Sequence, residues 1–259
     1  MKKLIFILIF PIFLSAKIKI VTYFPLETEF IKKIAKNQVE IIEITHRYSN
    51  KFTEIPSSEL RKLSNSNLFF HLGLNIETTY AELLKKNNRD LKVIDLSKDI
   101  KKINANPYIW TDPFAIKDVA RNILDTLIEF DNGNSKFYKK NYNDFLSEID
   151  EIFLKILQNL NKSNINSFYA IEDYWDYFAN RFRLEIIKKD KKIFTTLELM
   201  DLSKTYEDSS SNKLLYCCSK DEEFANILAK NLKAEAIENN IFSGDWQTNL
   251  LNLTSSIVR

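Results

Sequence analysis

Short apolar segments alternate with helical segments between residues 17 and 96. The short segments are rich in β-branched and aromatic residues, which is typical of buried strands. They read KIKIVTYF (17–24), VEIIEI (39–44), NLFFHLGL (67–74) and LKVIDL (91–96). Between them, apolar residues recur every three or four positions, as on one face of a helix. This order of strands and helices predicts a largely parallel sheet with helices on both faces.

Two longer helical patterns interrupt this alternation. The first covers residues 113–130, and the turn DNGNS (131–135) ends it. The second runs from about residue 136 to residue 161 and would be on the order of 40 Å long. After it the alternation restarts, with strands predicted at 165–171, 184–189, 213–218 and 234–238. The helices predicted in this half cover 173–182, 197–208, 221–232 and 245–258.

The two halves predict an α/β fold in which two lobes with mostly parallel sheets are joined by one long rigid helix. We place the N-terminal lobe at residues 17–133, the linking helix at 134–162 and the C-terminal lobe at 163–259. Ligands of parallel sheets usually bind beyond the carboxyl ends of the strands. In this arrangement those ends face a cleft between the lobes, which is where we expect a ligand.

The first 16 residues, MKKLIFILIFPIFLSA, have the layout of a secretory signal peptide: a cationic start, an apolar run and small residues at the end. We therefore expect secretion to the periplasm, the alternative being a retained N-terminal anchor. No cysteine follows the apolar run, so we expect no lipid anchor. Removal of this segment takes away Lys2 and Lys3 and no acid, which lowers the formal net charge from +2 to 0. A neutral chain argues against a nucleic-acid-binding protein.

Composition excludes several kinds of chemistry. Only three glycines are present, so glycine-rich phosphate loops are absent from the sequence. The only histidines are His46 and His71, and the only cysteines, Cys217 and Cys218, are adjacent and cannot form a CxxC motif. We interpret His71 as a packed strand residue. The two cysteines are interpreted as thiols at the end of a buried strand, or else as a vicinal or interchain disulfide. No nucleophile–base pair is evident, and we do not expect an enzyme.

The proline-bracketed segment ANPYIWTDP (105–113) and four others carry a resemblance to a known family. The others are IPSSELRKLSNSNLFFHLGLNIE (55–77), SKFYKKNYNDFLSEID (135–150), FYAIEDYWDYFANRF (168–182) and the stretch from KLLYCC to FSGD (213–245). In this order and spacing they resemble the TroA-like solute-binding proteins of metal ABC transporters. The resemblance covers nearly the whole chain after residue 16.

The resemblance implies a binding protein that holds a divalent cation, zinc or manganese, in the cleft between its lobes. It also implies docking on an ABC transporter permease in the membrane, and we expect a monomer. Family members use three histidines and one carboxylate, or two histidines and two carboxylates. The equivalent positions in this chain are Lys51 (or Phe52), Tyr108, Glu172 and Asn240. By residue type, only Glu172 is a good metal ligand.

These substitutions leave the nature of the ligand open. Oxygen donors favour hard cations such as manganese, magnesium or calcium over zinc. A phenolate at Tyr108 would suit ferric iron, but a phenol with a pKa near 10 must first lose its proton. His46 is either a surface residue or a substitute imidazole ligand. Lys51 is either a surface lysine or a replacement for the metal, pairing with Glu172 in a metal-free cleft.

Trp110 and Asp112 keep the family pattern and are expected to shape the cleft. Asp112 precedes Pro113 and is predicted to cap the following helix. The indole N–H of Trp110 is expected to find an acceptor. The first function we consider is metal uptake with altered ligands. The alternatives are a binding protein for a chelated metal or a small organic solute, with Tyr108, Trp110, Tyr174 and Trp175 lining the pocket, and a non-transport protein with a closed cleft.

Overall fold

The computed structural model describes residues 17–46, 49, 51–188, 204, 212–218 and 221–258. The signal peptide predicted at 1–16 lies outside these residues, as does nearly all of the helix predicted at 197–208. Within the described part of the chain, no helix combines the length and the apolar character needed to cross a lipid bilayer.

The N-terminal sheet has four parallel strands in the order β2-β1-β3-β4. The strands are β1 (Ile18–Thr22), β2 (Val39–Glu43), β3 (Leu68–His71) and β4 (Lys92–Asp95). The helices that alternate with them are α1 (Pro25–Ala35), α2 (Ser57–Leu63) and α3 (Asn75–Asn87). The β-branched and aromatic runs of the sequence form these strands, and the apolar stripe of each helix supplies buried residues to the core. The alternation predicted for residues 17–96 is confirmed.

The C-terminal sheet repeats this topology, again with parallel strands, in the order β6-β5-β7-β8. Its strands are β5 (Ser167–Ala170), β6 (Glu185–Lys188), β7 (Lys213–Tyr216) and β8 (Glu235–Glu238). Its helices are α6 (Asp176–Phe182), α7 (Glu222–Leu232) and α8 (Trp246–Ile257). Arg183 and Lys233 take left-handed conformations at the C-terminal ends of α6 and α7. The predicted α/β class with parallel sheets is confirmed.

Two helices connect the sheets. Helix α4 (Pro113–Phe130) is followed by a short 3-10 turn, Asn132–Asn134, and then by the 27-residue helix α5 (Ser135–Asn161). The buried face of α5 packs on α1, α4 and α8, so the last helix of the chain returns to the linking helix. The ring of Trp246 in α8 contacts Phe30 of α1 at 5.6 Å and Phe145 of α5 at 6.5 Å, centroid to centroid. Aromatic packing thus connects α8 to both α1 and α5.

Helix α4 begins at the predicted cap. The side chain of Asp112 accepts a hydrogen bond from the backbone N–H of Phe114 at 2.8 Å, and Pro113 occupies the first helical position. The same carboxylate also accepts two hydrogen bonds of 2.7 Å from the Nε and Nη2 atoms of Arg181 in α6. Asp112 therefore connects α4 to the C-terminal half as well as capping the helix.

This double role predicts a measurable loss of stability in Asp112→Ala. We expect the free energy of unfolding to fall by about 2–3 kcal/mol, because a cap of about 1 kcal/mol and a charge-assisted pair are lost together. The pair is discounted for solvent screening, since 34% of the Arg181 side chain is exposed. Urea denaturation measures the change. The control is Asp118→Ala, which removes an exposed acid of the same helix, and an equal loss in both variants would contradict the prediction.

Candidate functional site

Five aromatic side chains meet where the loop 105–112 crosses the carboxyl ends of strands from both sheets. Phe24 follows β1, Tyr174 follows β5 and Phe242 follows β8, while Tyr108 and Trp110 come from the loop. The Tyr108 ring lies 4.7 Å from that of Tyr174, 5.5 Å from Trp110 and 6.0 Å from Phe242, all edge to face. Phe24 lies 6.1 Å from Trp110 and 5.8 Å from Phe242. We call these five residues the aromatic cluster.

Trp110 anchors this cluster by hydrogen bonds as well as by packing. Its indole N–H donates to the carbonyl oxygen of Ile241 at 2.9 Å, as expected for a buried tryptophan. In return, the indole N–H of Trp246 donates to the carbonyl oxygen of Trp110 at 2.7 Å. The loop 105–112 is therefore fastened to the segment between β8 and α8.

Tyr108 is a half-buried, neutral phenol. Burial raises its pKa to about 12, and the nearby charges of Asp173 and Glu172 act in the same direction. The ring of Tyr174 lies edge to face against that of Tyr108, and burial raises the pKa of Tyr174 as well. Both phenols are therefore protonated at neutral pH without a metal, and a cation that binds the Tyr108 oxygen as phenolate must first displace its proton.

Glu172 lies at the carboxyl end of β5, beside the two phenols. It is half-buried and precedes the 3-10 turn Asp173–Trp175. Its charge contributes to the raised pKa of both Tyr108 and Tyr174. Tyr108 and Glu172 therefore lie near each other in the structure.

Asn240 lies in an exposed turn after β8. Its Oδ1 atom accepts a hydrogen bond from the backbone N–H of Phe242 at 3.0 Å and lies 3.9 Å from the Sγ atom of Cys218. The preceding residue, Asn239, is the buried one, and its Oδ1 atom accepts from the indole N–H of Trp175 at 2.8 Å. Trp110, Tyr174 and Trp175 are buried, so of the four aromatic residues that the solute alternative places in the pocket only Tyr108 is partly exposed.

The first family-equivalent ligand position, Lys51 or Phe52, lies in an exposed loop. The backbone N–H of Lys51 donates to the Oγ atom of Ser49, and its side chain is exposed. Its ammonium group forms no ion pair with any described residue, so the Lys51–Glu172 pair that we considered is not formed. An ammonium group loses its hydration on burial, which only a close partner offsets. The ring of Phe52 contacts that of Tyr80 at 5.1 Å, centroid to centroid, and His46 is exposed in the same loop.

Two cysteines follow the strand that lies between those preceding Glu172 and Asn240 in the C-terminal sheet. Strand β7 lies between β5 and β8, and it ends just before Cys217 and Cys218. No disulfide joins the two, and Cys217 is buried and Cys218 half-buried, in line with the interpretation of thiols at the end of a buried strand. His71 is half-buried and its Nδ1 atom accepts from the backbone N–H of Gly73, so it is a packed residue as expected.

The donor set does not fit a family-type metal site. The described residues contain no group of three or more His, Cys, Asp or Glu side chains that could hold a metal ion. A neutral phenol, an exposed amide and an exposed lysine replace the expected ligands, and only Glu172 offers a charged donor. A cavity of about 380 Å³ lies beside Tyr108. Its other lining residues are Gly73, Leu74, Asn75, Ile76, Lys102, Ala105 and Pro107.

The fold and the cleft define a two-lobed solute-binding protein, and comparison with known proteins gives the family. The family model described as "Zinc-uptake complex component A periplasmic" (ZnuA) matches residues 20–239. The chain belongs to this family, which consists of binding proteins of metal ABC transporters and not of enzymes. The family implied by the sequence resemblance is confirmed.

Individual relatives are distant in sequence but similar in fold. The manganese ABC transporter substrate-binding lipoprotein PsaA of Streptococcus pneumoniae is 23% identical over 280 residues, covering 94% of this chain and 90% of the relative. The metal ABC transporter substrate-binding lipoprotein FimA of Streptococcus parasanguinis is 26% identical over 166 residues, 56% of this chain and 53% of its own.

Solved structures show the same architecture. A crystal structure of ZnuA superposes with a TM-score of 0.83 at 23% identity, covering 94% of this chain and 98% of that one. The cadmium-bound periplasmic metal binding protein from Candidatus Liberibacter asiaticus superposes with a TM-score of 0.80 at 17% identity, covering 93% and 100%. At these identities the likeness establishes the fold.

The raised pKa of Tyr108 predicts the pH at which its phenol loses its proton. We expect the wild-type minus Tyr108→Phe difference in phenolate absorption to have its midpoint near pH 12 in folded protein. The folded-state pKa is raised above the unfolded value of about 10. The stability that Tyr108 contributes is therefore complete below about pH 10 and is lost as the pH rises towards 12. A midpoint at the value of free tyrosine, while circular dichroism shows intact structure, would contradict this assignment.

Proposed function

We propose that this chain is the periplasmic binding component of an ABC importer of the metal-uptake class, and that it delivers cargo to a membrane permease. The family match over residues 20–239 carries this proposal. The two-lobed cleft supports it, because the loop 105–112, the linking helix and the strand ends that frame a ligand are all present. We retain the lobe boundaries 17–133 and 163–259, on either side of the helix 134–162, as part of the proposal.

The cargo is where we propose that this chain departs from its family. PsaA is named for manganese and the ZnuA family for zinc. Here Lys51 and Asn240 are exposed, Tyr108 is protonated, and Glu172 is the remaining charged donor. A single carboxylate with neutral oxygen donors binds bare zinc weakly and favours a harder cation.

A second candidate is a chelated metal or a small organic solute. The observation that favours it is the cavity of about 380 Å³ beside Tyr108, together with the neutral phenol groups of Tyr108 and Tyr174. Small-molecule sites commonly have volumes of about 300–1,000 Å³, and the volume of this cavity lies in that range. In this case the metal would arrive with its own ligands.

The location proposed is the periplasm, with residues 1–16 as the signal peptide and a monomer as the working unit. The relatives PsaA and FimA are named lipoproteins, which differs from our expectation of no lipid anchor. The cysteines of this chain are Cys217 and Cys218, both in the C-terminal half.

Restoring family ligands tests the proposed divergence. We expect purified wild-type protein to hold less than one equivalent of zinc or manganese, and Tyr108→His/Asn240→Asp to hold more. Metal analysis by mass spectrometry and thermal-shift titration with zinc, manganese, iron and calcium measure this. An ion at 100 times its Kd stabilises the native state by about 2.7 kcal/mol, so binding is detectable as a shift.

The matched control adds Glu172→Ala to the double variant, which removes the remaining carboxylate and should abolish the gain. Stoichiometric zinc or manganese in the wild type would show that the site has kept its family function. A gain that survives Glu172→Ala would show that the family-equivalent positions are wrongly assigned.

A further inference from the structure

Two glutamates lie fully buried in the N-terminal half, away from the positions discussed above. Glu27 is the third residue of α1, and Glu77 is the third residue of α3. Both are 0% exposed, and they lie close enough for the charge of Glu77 to act on the carboxyl group of Glu27. Buried acids are rare unless they are paired with a cation or a metal, and here the partner is a second acid.

Each carboxyl group binds the backbone of the loop that precedes its helix. The Oε2 atom of Glu27 accepts from the backbone N–H groups of Tyr23 at 2.6 Å and Phe24 at 3.3 Å. Glu77 accepts from the N–H of Leu72 at 3.1 Å and of Leu74 at 2.6 Å. These loops follow β1 and β3, neighbouring strands of the sheet, so the two acids fasten adjacent loops to helix N-termini.

One oxygen of this arrangement lacks a donor from the rest of the protein. The Oε1 atom of Glu27 is buried and receives no N–H or O–H hydrogen bond from the described residues. Two adjacent carboxylates cannot both remain ionised in a buried site. A proton on Oε1, donated to the carboxylate of Glu77, satisfies the free oxygen and removes the repulsion at the same time.

We propose that Glu27 and Glu77 form a buried binding site for one proton, and that this proton holds the two loops at the cleft edge of the N-terminal sheet. Glu77 carries the negative charge, because its carboxylate accepts the backbone N–H groups of Leu72 and Leu74. Glu27 carries the proton. The proposal does not depend on which cargo the cleft takes.

The loops held by this pair reach the cleft. Phe24 belongs to the aromatic cluster, and the preceding residue, Tyr23, donates its hydroxyl to the carbonyl oxygen of Ser49 at 2.5 Å. Tyr23 also stacks on Tyr80 at 5.2 Å. Loss of the proton would thus act on the aromatic cluster through Phe24 and on the loop that carries Lys51 through Tyr23.

The charges around the pair define the direction of the pH effect. Burial raises the pKa of Glu27, and the charge of Glu77 raises it further, against the lowering effect of the Tyr23 and Phe24 N–H groups. Elsewhere on α1, Lys33 pairs with Glu29 and with Glu148 of α5. The stability due to the proton is complete below the unfolded pKa of about 4.3 and is lost as the pH rises through the folded pKa.

Glu27→Gln tests the site, because its amide keeps one oxygen for Tyr23 and supplies a permanent N–H donor towards Glu77. Above about pH 4.3, we expect the unfolding equilibrium constant of the wild type to rise relative to this variant by about tenfold per pH unit, until the folded pKa is reached. Urea denaturation of both proteins at several pH values measures the ratio. The control is Glu29→Gln, a part-exposed acid of the same helix, which should keep the wild-type dependence.

A second measurement does not require a folded variant. Carboxyl carbon NMR of the wild type at pH 7 should show one glutamate resonance in the protonated range, and infrared difference spectra should show a protonated-carboxyl band. The proposal is overturned if all glutamates of the folded wild type are ionised at pH 7. It is also overturned if the wild type and a folded Glu27→Gln have the same pH dependence.

Discussion

The hydrogen bonds donated by the indole N–H groups of Trp110 and Trp246 are the interactions on which the cleft depends. Each indole N–H donates to backbone on the other side: Trp110 to Ile241, and Trp246 to Trp110. Both rings are buried, so breaking either bond would leave a polar group without a partner in the core. Through these two bonds the loop 105–112, the segment after β8 and helix α8 are held in one arrangement. The positions of Tyr108 and Asn240 follow from it.

Local patterns predicted the fold well, because strand and helix periodicity arises from residues near one another in the chain. Asp112 shows the limit of such reasoning. Its cap to Phe114 is two residues away and was predicted, whereas its pair with Arg181 joins residues 69 apart. The same limit applies to Phe242, whose place in the aromatic cluster results from the contact between the two halves of the chain and has no signature in its own segment.

The candidate site was predicted in part. The resemblance identified Tyr108 and Glu172, which the fold brings together. It also suggested Lys51 as a substitute for the metal, and the exposed position of this lysine rules out that pairing. Residue type alone indicates which atoms a side chain offers but not its hydration or protonation. The raised pKa of Tyr108 arises from burial and from acids more than sixty residues away, so no local pattern contains it.

The substitutions at the family ligand positions also change the electrostatic repulsion within the cleft when no cation is bound. Ionic ligands gathered around a cation repel one another when the cation leaves, so a family-type cleft is strained without its ion. In this chain the phenols of Tyr108 and Tyr174 are neutral and pack against each other, and the amide oxygen of Asn240 accepts a hydrogen bond within its own turn. Less repulsion remains for a cation to relieve. If the proposed function holds, a cargo gains its affinity from contacts with Tyr108 and Glu172, rather than from neutralising a set of charges.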